Sequence, residues 1–244
     1  MKNVPKCLIV ASVLFSLILS LHMPVGASAT VTVGDAAGKV LLGGWTLKHL
    51  YPATASVGGT KLPTVTYADP SDIYAAAGKL QGAGGSDYVQ GWDVDPSKVD
   101  LTTGMPRTTW AVYGDFIVMT SGPVVHNSLK YYMDLAPSGA DQSPARFQLV
   151  NPGGVTHAQF VLRSGSVIAD VLASDVEGLH RDIVLIQSFT DASGRGIFVI
   201  TGLTLKGTEA GALWFVRSVM KNPSAYTGNV YVIGWNDSPT PWTV

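Results

Sequence analysis

The sequence predicts an α/β fold: a mixed sheet with parallel crossovers and antiparallel hairpins, and helices packed on the sheet. Three observations carry that expectation. The runs Phe116-Ile117-Val118-Met119, Ile183-Val184-Leu185-Ile186 and Ile197-Phe198-Val199-Ile200 are strand-length and apolar without alternation, as in a sheet covered on both faces. Apolar residues at helical spacing follow the first and third runs. The order strand, strand, helix, strand in the last third then needs at least one parallel crossover.

The chain opens with the three parts of an export signal. Lys2 and Lys6 are the positive start, residues 7–21 are apolar apart from Ser12, Ser16 and Ser20, and Ala27-Ser28-Ala29 offers small residues to a signal peptidase. An apolar run of about 15 residues suits a signal better than a membrane span of about 20. Residues 1–29 are therefore expected to be a signal peptide cut after Ala29, the alternative being an uncleaved signal anchor. After the cut no second stretch is long enough to span a membrane. The mature chain of about 215 residues can bury a real core. Its single cysteine, Cys7, leaves with the signal, so packing and strand pairing must replace disulfides.

Residues 30–105 read as a loop-rich part, either a separate unit or continuous with residues 106–244. Gly43-Gly44, Gly58-Gly59 and Gly84-Gly85 break it. Short strands are expected at 40–42 and 87–92, with a helix over 71–80 capped by Ser71. Residues 106–244 are the better organised α/β part. A strand is expected within 108–121, ending at Gly122-Pro123, and then a helix over 124–134 with Val125, Leu129 and Tyr132 on one side. Residues 144–154 return to turn chemistry. Phe160-Val161-Leu162 and Val167-Ile168, split by Arg163-Ser164-Gly165, predict a hairpin. Asp191-Ala192-Ser193-Gly194 turns a second hairpin between the two long apolar runs. Ala210, Leu213, Trp214, Val216, Val219 and Met220 predict a helix of about four turns, capped by Thr208 and stopped by Pro223, before a last strand over 229–235.

The segment Gly114-Asp115-Phe116-Ile117-Val118-Met119-Thr120-Ser121-Gly122-Pro123-Val124-Val125-His126-Asn127 resembles the strand, Gly-Gly-Pro turn and small-residue-Asn step of archaeal surface-layer proteins. Ser121 stands where that pattern has its first glycine. The later Asp182-Ile183-Val184-Leu185-Ile186, Gly196-Ile197-Phe198-Val199-Ile200-Thr201-Gly202 and Gly207-Thr208-Glu209-Ala210-Gly211-Ala212-Leu213 are similar to the same family's hairpin, glycine turn and Gly-Thr-x-Ala helix start. These segments cover about half of the mature chain. The resemblance implies a non-enzymatic structural or assembly role in a surface layer or envelope, outside the cell, with self-assembly or other cell-surface proteins as partners. The competing class is a secreted hydrolase or carbohydrate-binding protein.

Composition limits the alternatives. With 46% hydrophobic and 14% charged residues and a net charge of −1, there is no electrostatic footprint for nucleic acid. Asp93, Asp95 and Asp100 gather carboxylates in one loop, where Ca²⁺ takes oxygen ligands, although the spacing is not that of an EF-hand. The alternative is a solvated turn and no cofactor. Residues 202–208 have the glycine spacing of a phosphate loop, but Thr208 replaces its lysine, so a strand-to-helix turn is the better reading. His126, His157 and His180 show no metal spacing, and any paired carboxylates would be sought near Asp115 and Asp134. Asn236-Asp237-Ser238 is a glycosylation sequon with Pro239 directly after it. Trp214, Trp235, Trp242, Tyr226 and Tyr231 gather near the end as core aromatics or as a sugar- or partner-binding face.

Overall fold

The computed structural model describes residues 31–41, 45–48, 54–57, 60–63, 89–107, 116–135, 142–177 and 181–236. The first element is helix α1, Val33–Leu41. The Thr32 amide donates to Asp35 Oδ2 at 2.9 Å and the Asp35 amide to Thr32 Oγ1 at 3.0 Å, a reciprocal cap that starts a helix where residues 40–42 suggested a strand. Val33, Ala36 and Ala37 are buried by it. The helix expected over 71–80 lies outside the described residues.

Strands β1 (Trp45–Lys48), β4 (Val89–Trp92) and β5 (Phe116–Thr120), with β9 (Arg181–Thr190), β10 (Gly196–Gly202) and β11 (Val230–Asn236), form one sheet in the order β11-β9-β10-β5-β1-β4. β9 runs against both of its neighbours; the other pairings are parallel. Strands β10 and β11 therefore point the same way across β9, which is the crossover the element order required. Strands β2 (Thr54–Val57) and β3 (Thr60–Pro63) form a separate hairpin.

Alternate residues of the central strands enter two cores. Ile117, Met119, Ile183, Leu185, Ile197 and Val199 face one; Val118, Val184, Ile186, Phe198 and Ile200 face the other. Burial on both sides is the physical reason the runs lack polar alternation. The first core is closed by helix α2 (Asn127–Tyr132) and by an antiparallel sheet, β6 (Ala145–Val150), β7 (His157–Leu162) and β8 (Val167–Leu172). Strand β6 corrects the expectation of turn chemistry over 144–154. Ala145 and Phe147 point into the core between the outward Arg146 and Gln148, and only Pro152–Gly154 remains a turn. The β7–β8 hairpin is as expected, with Gly165 at φ 89°. A short helix α3, Ala173–Glu177, leads towards β9.

The second core is closed by α1 and by helix α4, Leu205–Trp214, which continues as a π-helical turn over Phe215–Val219. α4 lies close on the sheet. A Cβ on Gly211 would sit 2.6 Å from Val184 Cγ1 and 2.8 Å from Ile200 Cγ2, so glycine sets the contact distance. The N-cap is Thr204, whose Oγ1 accepts from the Gly207 amide at 3.0 Å. Thr208, expected to be the cap, lies inside the first turn. α2 is likewise shorter than the 124–134 expected. Residues 122–126 form a turn, His126 supplies the cap, and the left-handed Asp134 (φ 58°) follows its end.

The two sheets are joined by a side chain acting as a strand partner. The Ala145 amide donates to Gln187 Oε1 at 2.9 Å, and Gln187 Nε2 donates to the Ala145 carbonyl at 3.1 Å. Gln187 is fully buried, and this amide pair lets a polar residue sit there.

Candidate functional site

Strands β5 and β10 are parallel neighbours, yet the chain leaving β5 turns to α2 on one face and the chain leaving β10 turns to α4 on the other. Such a divergence at the carboxyl ends of strands is where α/β sheets place their ligands. Here it brings together the ends of β5 and β10, the 93–107 loop and the starts of both helices.

At the end of β10 the residues with phosphate-loop spacing surround a carboxylate of the chain itself. Asp182 Oδ1 accepts from the Leu203 amide at 3.0 Å, and Oδ2 accepts from the Thr204 amide and Thr204 Oγ1, both at 2.7 Å. The Gly202 amide donates to Thr208 Oγ1 at 3.0 Å, and Thr208 Oγ1 donates to the Thr204 carbonyl at 3.0 Å. The amides that would cradle a phosphate are thus engaged. Gly207 admits the carboxylate, since a Cβ there would fall 1.8 Å from Asp182 Oδ2. Burial pushes the Asp182 carboxyl up to about 7, against the pull of the Thr204 and Leu203 donors.

At the end of β5, Ser121 has φ 149°, a backbone region that favours glycine. The Ser121 carbonyl accepts from Thr201 Oγ1 on β10, tying the two strand ends together. The hydroxyls of Thr120, Ser121 and Ser128 are buried without a hydrogen-bond partner among the described residues.

Asp93 does not stand with Asp95 and Asp100 as one ligand set. It is fully buried, and its Oδ2 accepts from the Asn127 amide at 2.5 Å, while Asn127 Nδ2 donates to its carbonyl at 3.2 Å. The Ser97 hydroxyl, and then the Ser97 amide at 2.8 Å, hold the Asp95 carboxyl below the usual carboxylate range, and the Thr102 amide at 2.8 Å does the same for Asp100. Among the described residues, no group of three or more His, Cys, Asp or Glu could hold a metal ion.

The fully buried His126 lies beside Asp93, with Nδ1 3.7 Å from Oδ2. Ser121, His126 and Asp93 have the residue types of a hydrolytic triad, but the geometry serves another task. Nδ1 accepts from the Ser128 and Leu129 amides at 3.2 and 3.3 Å, which assigns the ring proton of the neutral imidazole to Nε2. A triad needs Nδ1–H donating to the aspartate and Nε2 as the base. This histidine is a helix cap.

A third polar cluster fixes the β9–β10 hairpin. Arg195 Nε and Nη2 donate to Asp191 Oδ2 at 2.9 and 2.7 Å, Nη1 donates to the Pro106 carbonyl at 2.8 Å, and the Tyr132 hydroxyl donates to Asp191 Oδ2 at 2.7 Å. Burial opposes the Asp191 charge, but the bonds from Arg195 and Tyr132 outweigh it and hold the carboxyl below its ordinary value. Burial, reinforced by the Asp191 charge, pushes the Tyr132 phenol up. Hairpin, α2 and the 93–107 loop meet in one ion pair. Only an adjacent Asp-x-x-x-Arg in a turn hinted at it.

The remaining expected residues are dispersed. His157 Nδ1 lies 2.8 Å from Asp170 Oδ1 on the outer face of the three-stranded sheet. Asn236 ends β11, opposite Arg181, and the rest of its sequon lies outside the described residues, as do Asp115, His180 and Trp242. Trp214 and Tyr231 each meet Tyr226 edge-on, with ring centroids 5.4 and 5.6 Å away, and lie tilted to one another at 6.3 Å. No helix among the described residues is long and apolar enough to cross a membrane. No protein-family profile, curated protein or solved structure matches this chain at a significant level.

Proposed function

We propose that this chain is a non-enzymatic structural or assembly component of a cell surface layer or envelope, exported by residues 1–29. The observation that carries the reading is the fate of the reactive side chains. At the end of the sheet where an α/β enzyme would keep free acids and bases, Asp182, Asp93 and His126 hold the starts of α4 and α2; at the opposite end Asp191 and Arg195 close on each other. The α/β fold with strand, turn and helix at β5 and β10 supports the likeness to surface-layer modules, and so does a glycine-type backbone at Ser121.

A cut after Ala29 would keep the contacts of Val31, Val33 and Gly34. Ser188 Oγ donates to the Val31 carbonyl at 2.5 Å, the Val33 amide to the Gly228 carbonyl at 2.9 Å and the Gly34 amide to the Tyr226 carbonyl at 2.9 Å. A glycan on Asn236 belongs to the same reading, as an element of surface assembly. A second reading, carbohydrate binding, draws on the half-buried Trp214 and Tyr226 beside Tyr231.

The test is the size distribution of the mature chain from Thr30 onward, by light scattering over a range of concentrations, with and without millimolar Ca²⁺. Concentration-dependent growth into ordered assemblies is the expected result. A strict monomer in every condition, with saturable binding to a polysaccharide, would replace this reading by the second.

A further inference from the structure

An edge strand turns half of its backbone hydrogen-bonding groups outward, and proteins guard such edges with charge, proline, bulges or shortness. Among the described strands, β2, β3 and β4 have four residues each. β6 carries Arg146 and gives the amide and carbonyl of Ala145 to Gln187, and β8 carries Asp170 beside a register shift in its pairing. β11 ends the six-stranded sheet over seven residues, Val230–Asn236, without charge or proline, and pairs with β9 in unbroken register. Two hydrogen bonds fix which of its groups face outward. The Asp191 amide donates to the Arg195 carbonyl at 2.9 Å, so odd-numbered residues of β9 turn their groups to β10. The Ser188 amide donates to the Asn229 carbonyl at 2.9 Å, so even-numbered residues of β9 meet β11, through Tyr231, Ile233 and Trp235. Val232 and Gly234 lie opposite Leu185 and Ile183, and their amides and carbonyls therefore point away from the sheet. Neither residue has another backbone partner among the described residues. Gly234 is exposed, and Val232, Ile233 and Trp235 are half-buried.

We propose that β11 pairs antiparallel with β11 of a second copy of this chain, about a twofold axis through Ile233. Val232 of each copy then exchanges amide and carbonyl bonds with Gly234 of the other, four bonds in all. Ile233 meets its own copy across the axis as a pair without hydrogen bonds, with Cα atoms about 4.5 Å apart, and the two half-buried side chains cover each other. The strand sets no like charges opposite each other, and a net charge of −1 leaves little repulsion between copies. Pairing joins two sheets into one and removes both open edges, and a contact of this symmetry closes at two copies. The inference rests on the self-assembly reading above and names its first contact; growth beyond the dimer uses other surfaces.

The experiment measures mass by light scattering over a range of concentrations for the mature wild-type chain and Gly234→Pro. Proline keeps the bonds to β9, because the amide it removes points outward, and the φ of Gly234 is not positive. By symmetry the variant loses two of the four bonds across the axis, so its dimer dissociation constant should rise at least about tenfold. Unfolding at a concentration where both chains are monomers should coincide, which separates lost pairing from lost fold. A second measurement needs no variant: as concentration rises, hydrogen exchange at the Val232 and Gly234 amides should slow, while the Ile233 amide stays protected throughout. A variant that assembles as the wild type does, or edge amides that exchange fast in the assembled chain, would overturn the β11 pairing and leave self-assembly through another surface. Edge amides already slow in the monomer would overturn it too, by showing that a segment of the same chain covers β11. A wild-type chain that stays monomeric throughout would overturn both this pairing and self-assembly.

Discussion

Replacing Gly207 by alanine isolates the contact on which the β10–α4 turn depends. The backbone at this position is of the ordinary kind, and alanine in a helix gains about 1 kcal/mol over glycine, so local propensity alone predicts stabilisation. The structure predicts the reverse. The new methyl would lie 1.8 Å from Asp182 Oδ2, 2.3 Å from Cγ and 2.8 Å from Cβ, too close for any rotation of the methyl to relieve. Asp182 or the helix start must move, and either movement breaks the bonds from Leu203 and Thr204. Three lost bonds to a buried carboxyl, at about 1–2 kcal/mol each, exceed the propensity gain and leave a net loss of about 2–5 kcal/mol. For a domain of this size that lowers Tm by roughly 5–15 °C. Thermal and denaturant unfolding measure it, with Gly165→Ala as the control. Gly165 has open space around it and φ 89°, so its alanine variant loses only the backbone strain of about 1–2 kcal/mol. A Gly207→Ala chain within about 0.5 kcal/mol of wild type would refute the reasoning.

Other perturbations address the remaining polar contacts. Arg195→Met leaves the buried Asp191 carboxylate without its cation and should cost about 3–5 kcal/mol in denaturant unfolding; adding Asp191→Asn should recover part of that loss. Gln187→Leu leaves the Ala145 amide unpaired between the two sheets, while the carbonyl keeps the Ser143 hydroxyl. It should cost about 1–3 kcal/mol and speed hydrogen exchange along β6 more than along β10. Ser121→Gly removes a strained φ and a buried hydroxyl without a partner among the described residues, and should raise stability by about 1 kcal/mol. A lower Tm for that variant would show that the Ser121 hydroxyl has a partner in solution.

Local pattern carried the framework. The runs at β5, β9 and β10 announced doubly covered strands because no polar residue interrupts them, and Asp191 to Gly194 announced the turn between two of them. The helix after β10 was legible from its apolar spacing, although its start was not. Strand β6 was missed because its inward residues alternate with Arg146 and Gln148 over only six positions beside a proline-glycine turn. Helix α1 is hidden because its glycines and short length weaken the helical pattern, although Thr32 and Asp35 form a reciprocal cap at its start.

The sequence by itself determined the fold class, the hairpins and the crossover, because burial and turn chemistry act between residues close in the chain. Only the tertiary structure decided what the acids do. Asp182 meets Thr204 across 22 positions, Asp93 meets Asn127 across 34, and Arg195 meets Pro106 across 89. Spacing suggested a cation loop at Asp93 and a helix cap at Thr208. The fold instead gives Asp93 to α2 and Asp182 to α4, because a helix start leaves bare amide donors, and a buried carboxylate satisfies them wherever in the chain it originates.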